Sequence, residues 1–131
     1  MQVDVFEDSL ARLRALCARL PEVREELAWV GTRWKIRGNT FAHVLEIVDG
    51  WPPSYARAAS TGGPATVLTF RSTDVELAGL VRGRTPFFGP LWGRSDVGVV
   101  LAPDTDWDEI VELITESYRL RAPKRLAGQL D

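Results

Sequence analysis

The chain has 131 residues, 45% of them hydrophobic and 26% charged, which is enough apolar material for one globular core and predicts a single domain over 1–131. Its net charge of −2 excludes a global electrostatic pull toward nucleic acid or an anionic membrane, so any such binding needs a local basic patch. The single cysteine, Cys17, excludes an intramolecular disulfide, and the acidic N-terminal stretch with Asp4, Glu7 and Asp8 is unlike a secretory signal; a cytoplasmic protein without a membrane span is expected.

A first helix is predicted from Val5 to Leu20, with Phe6, Leu10, Leu13, Cys17 and Leu20 on one stripe and Pro21 as its stop. Cys17 on that stripe reads as a small buried hydrophobe. A short strand at Glu26 to Val30 precedes two longer ones, Thr32 to Arg37 and Thr40 to Val48. Gly38-Asn39 between them suits a two-residue primed turn, which would pair Ile36 with Phe41, Trp34 with His43 and Arg33 with Val44. In that register Trp34, Ile36, Phe41, His43, Leu45 and Ile47 share an apolar face, and Arg33, Lys35 and Arg37 share a basic one.

Residues 49–64 are rich in Gly, Pro, Ser and Thr and read as a loop with one helical turn at Ser54 to Ala59. A fourth strand is predicted at Ala65 to Arg71, a short helix at Asp74 to Val81, and a rigid aromatic loop in TPFFGPLWG rather than a regular element. A fifth strand at Val97 to Leu101 leads into the final helix. There Trp107, Ile110, Val111, Leu113, Ile114 and Tyr118 recur at steps of three and four, Asp106 occupies the N-cap position and Glu109 follows three residues on. Acids crowd the first turns, and Arg119, Arg121, Lys124 and Arg125 cluster at and beyond the end, as the helix dipole favours.

The aspartate-rich turn and Trp107-Asp108 pair, followed by Ser117-Tyr118-Arg119-Leu120 and Ala122-Pro123-Lys124-Arg125-Leu126, resemble the C-terminal signature of the MmcQ/YjbR family of small bacterial proteins. Leu20-Pro21-Glu22-Val23, Lys35-Ile36-Arg37-Gly38 before Phe41-Ala42, and Phe87-Phe88-Gly89 before Trp92 extend the likeness more loosely along the chain. The resemblance implies an α+β fold similar to frataxin-like (CyaY-like) proteins, with an antiparallel sheet of about five strands packed against the N-terminal and C-terminal helices. It also implies DNA binding, the activity by which the family is usually labelled.

With one histidine, one cysteine, no nucleophile elbow, no phosphate loop and no paired metal ligands, an enzyme is not expected, nor is a cofactor or metal. Two readings of function stand. In the first, Arg33, Lys35 and Arg37, spaced by roughly 6.6 to 7 Å along a strand, join Arg119, Arg121, Lys124 and Arg125 in weak, salt-sensitive contact with DNA phosphates. In the second, Trp34, His43, Trp51, Phe87, Phe88 and Trp92 wall an aromatic pocket for a small aromatic molecule or a protein partner. Aromatic residues converging on His43 beneath the 49–64 loop would favour the pocket; a continuous basic strip outside the hairpin would favour nucleic acid.

Overall fold

The computed structural model describes residues 4–73, 79, 86–91 and 95–130. Helix α1, Val5–Cys17, starts where the Asp4 carboxylate accepts from the Glu7 backbone N–H at 3.1 Å, and it buries Leu10, Leu13 and Cys17. It ends three residues before Leu20, the expected last residue. Leu20 instead donates to the Cys17 carbonyl in a tight turn that tucks its side chain into the core.

Strands β1 (Arg24–Leu27), β2 (Thr32–Ile36), β3 (Asn39–Ile47), β4 (Ala65–Arg71), β5 (Phe87–Phe88) and β6 (Asp96–Leu101) form an antiparallel sheet in the order β1-β2-β3-β4-β6-β5. The strand beyond the five expected is β5, which lies within the expected aromatic loop: Phe87 and Phe88 pair with Val99 and Gly98. Gly98 makes that edge possible. A Cβ on it would stand 2.2 Å from the Phe88 ring. The helix expected over 74–81 lies outside the described residues, apart from Gly79, which is helical.

The β2–β3 hairpin departs from the expected register. Its two-residue turn is Arg37-Gly38, with φ of 51° and 82°, so Ile36 faces Asn39 and Lys35 faces Thr40. A bulge then leaves Phe41 without a cross-strand partner, and Trp34 pairs with Ala42 and Arg33 with His43. A slip of one residue moves a side chain to the other face. Trp34, Ile36, Phe41, Ala42 and Val44 therefore face the helices, whereas His43, Leu45 and Ile47 lie on the outer face with Arg33.

The main core lies between the helix-facing side of the sheet, α1 and helix α3, Trp107–Arg121. Asp106 caps α3 as expected, accepting from Asp108 and Glu109, and the helix buries Ile110, Leu113, Ile114, Ser117 and Tyr118; Val111 is exposed. The outer face carries a smaller apolar layer in which Leu45, Ile47 and Val67 pack under helix α2, Pro53–Ala59, through Tyr55, Ala56 and Ala59. Beyond α3 the chain turns at Pro123 into a short helix α4, Lys124–Ala127, that buries Leu126. Among the described residues no helix is long and apolar enough to cross a membrane.

Candidate ligand cleft and charged hairpin edge

The outer face is built by two turns. Residues 28–31 close tightly, with Ala28 donating to the Gly31 carbonyl at 3.0 Å, and this turn projects Trp29 into solvent and aims the Val30 carbonyl at β3. The Val48–Trp51 turn, closed by two backbone hydrogen bonds, carries Trp51 to the same place. The two indoles meet at 5.3 Å between centroids, tilted by 55°. Trp29 is 80% exposed and Trp51 49%, in contrast to Trp34, which is 1% exposed.

Beside Trp29 lies a cleft of about 230 Å³ lined by Trp29, Val30, Arg33, Thr40, His43 and Tyr55. His43 Nε2 donates to the Val30 carbonyl at 2.6 Å, and Tyr55 Oη lies 3.4 Å from Nδ1. The neutral imidazole tautomer with the proton on Nε2 satisfies both contacts. Burial is the main cause that lowers the His43 pKa below its ordinary value, with the Arg33 charge adding to it against the opposing Val30 hydrogen bond. Burial likewise raises the Tyr55 pKa, helped by Asp96. A second recess of about 160 Å³, which includes Thr69, Arg71 and Asp96, opens on the other side of the His43–Tyr55 pair.

The sign of the His43 effect is definite. An unfolded histidine near 6.5 takes up protons before the folded one does, so its contribution destabilises the fold as pH drops below 6.5. Urea unfolding from about pH 7.5 to about pH 5 is expected to show a smaller loss of stability in His43→Gln, whose amide can still donate to Val30, than in the parent. Parallel losses in both proteins would remove His43 from the account.

Of the six residues expected to wall a pocket, His43 lines this cleft and Trp51 reaches its edge through Trp29. Trp34 and Phe87 are buried on the helix-facing side, Phe88 packs on the outer face over Gly98, and Trp92 is outside the described residues. Sequence reasoning missed Trp29 and Tyr55 as wall residues. Gly31, which permits the tight turn behind Trp29, is the local signal for the first; nothing local marks the second.

The expected basic patches are present but accompanied by acids. Arg33 donates through Nε to Glu26 at 2.7 Å and Lys35 approaches the same carboxylate at 3.4 Å; the hydrogen bond from Arg33 is the main cause holding the Glu26 carboxyl below its usual range. Glu22 takes Arg37 at 3.0 Å and Arg125 at 3.5 Å, so the hairpin end and the C-terminal cluster meet on one carboxylate. Arg119 pairs with Glu116, and Arg121 lies near Arg71 and Asp96, with its pKa lowered chiefly by burial. Lys124 is exposed and makes no ion pair among the described residues. The groove of about 670 Å³ along this edge mixes both signs of charge, from Glu22, Arg24, Glu26, Lys35 and Arg37.

Burial, with Glu25 adding to it, pushes the Cys17 thiol up to about 12, far from a nucleophile's range. Asp4 and Asp106 are occupied as helix caps, and among the described residues no three His, Cys, Asp or Glu side chains gather as a metal site.

The family model YjbR matches residues 18–120. The chain belongs to the YjbR family. The match takes in every residue named for the cleft and the hairpin, and ends before Arg121, Lys124 and Arg125. A YjbR-type domain of this shape is similar to the crystal structure of a Pseudomonas syringae protein from a structural genomics consortium, with a TM-score of 0.64 and 16% identity over 85% of this chain and 97% of that one. That likeness extends the fold alone. No curated protein shows significant similarity to the chain.

Proposed function

We propose that this YjbR-family chain is a non-catalytic binding protein whose ligand site is the cleft beside His43, entered past Trp29 and Trp51. The exposed indole pair carries the reading. A fold that buries Trp34 completely leaves two other tryptophans in contact with each other and with water, at the mouth of a recess whose one titratable aromatic pair is already hydrogen-bonded. Exposed aromatic clusters of this kind are where solvent-facing surface repays a partner's contact. Contact with DNA phosphates has weaker support, because Arg33, Lys35, Arg37 and Arg125 each stand against Glu26 or Glu22, which offsets half of their charge and occupies donors that phosphates would need.

Titration with a panel of small aromatic molecules is expected to quench tryptophan emission saturably, with affinity falling about ten-fold in Trp29→Ala, the loss that one aromatic contact supplies. Absence of saturable quenching, or equal affinity in Trp29→Ala, would defeat the proposal. So would steeply salt-dependent binding of a short DNA duplex that disappears when Arg33, Lys35 and Arg37 are changed together to Ser.

A further inference from the structure

We infer that the cleft selects a planar aromatic carboxylate, with its ring against the Trp29 indole and its carboxylate on the Arg33 guanidinium. The inference rests on the cleft being the ligand site and adds the chemical class of what enters it.

Charge decides the sign of the ligand. The cleft lining contains one cation, Arg33, and no carboxylate. Glu26, the acid bonded to Arg33, is shared with Lys35, so two positive charges stand against one negative; Glu26 and Lys35 line the neighbouring groove, and Arg33 alone of the three lines the cleft. Glu26 takes Arg33 Nε and Nη2, and the remaining guanidinium N–H groups have no acceptor among the described residues. The side chain is 39% exposed, so an incoming carboxylate can reach it. Both ring nitrogens of His43 are engaged, with the Val30 carbonyl and the Tyr55 hydroxyl, which leaves Arg33 as the charged donor of the site.

Shape decides the rest. A recess of about 230 Å³ is smaller than the usual range for drug-sized ligands, roughly 300 to 1,000 Å³, and suits one ring system rather than an extended chain. Trp29 offers a flat apolar face beside it, and a guanidinium fork matches a carboxylate in the plane of an attached ring.

The test compares cinnamate with cinnamamide, which share a ring and a shape and differ in charge, by calorimetry and tryptophan quenching on the parent chain and on Arg33→Gln. Cinnamate binding at least ten-fold tighter than the amide, with the advantage shrinking in salt and abolished in Arg33→Gln, is the expected result. Equal binding of acid and amide on the parent would overturn the carboxylate assignment while leaving the cleft itself in place. So would an acid preference that survives Arg33→Gln. Binding of neither compound would overturn the cleft reading and this inference together. The acid-to-amide comparison on the parent chain stands even where Arg33→Gln folds poorly.

Discussion

Gly31→Ala is expected to cost the fold about 3 kcal/mol, the sum of a left-handed backbone penalty near 1 to 2 kcal/mol and an overpacking cost of similar size. Gly31 has φ of 79°, and a Cβ there would stand 2.0 Å from the Val44 carbonyl oxygen and 2.9 Å from Leu45 Cα. Neither atom can retreat. Val44 is paired to Thr32 and Leu68, and Leu45 to Val67, in the middle of the sheet. The turn would have to lift instead, withdrawing the Val30 carbonyl from His43 and parting Trp29 from Trp51. Urea unfolding followed by tryptophan emission reads both consequences. Gly38→Ala supplies the comparison, because Gly38 has φ of 82° but open space around it, and only the backbone penalty should appear. Equal losses at the two glycines would refute the clash.

Ser117→Ala is expected to lower stability by roughly 2 to 4 kcal/mol, since it strands two buried backbone groups at once. The bulge in β3 leaves the Phe41 carbonyl without a cross-strand donor, and Ser117 Oγ supplies one at 2.6 Å while accepting from the Arg71 N–H at 2.8 Å. One hydroxyl thus ties α3 to β3 and to the end of β4. Ser117 is fully buried, so water offers no replacement. A measured change below about 0.5 kcal/mol, the range of ordinary surface substitutions, would show that the bulge is satisfied in another way.

The same bulge explains what could and could not be read from the sequence. Both long helices were legible, because their signals are local: the apolar stripes repeat at helical spacing, and Asp106 sits one residue before the helix it caps; Asp4, which caps the first helix, was not read as a cap. The strand Ala65–Arg71 was legible for the same reason. The hairpin register was not. Gly-Asn is the obvious primed turn by residue preference, yet Arg37 adopts the positive φ instead, where it reaches Glu22, and the irregularity at Phe41 is met by Ser117, 76 residues away. The site shared that fate. His43 was singled out, but its true neighbours, Arg33 across the strand and Tyr55 from α2, follow from the slipped register, and the Trp29–Trp51 pair joins two separate turns. The acids opposite the basic stripe come from β1 and the residue before Val23, a strand whose pairing partner the sequence left open.

The most direct measurement is a titration with cinnamate followed through the indole N–H signals of the five tryptophans. Ligand entering past the exposed pair should shift the signals of Trp29 and Trp51 along a common saturation curve, while Trp34, whose Nε1–H is bonded to Glu25 at 3.0 Å on the other side of the sheet, stays in place. No movement of Trp29 and Trp51, or equal movement of Trp34, would contradict a ligand site in this cleft.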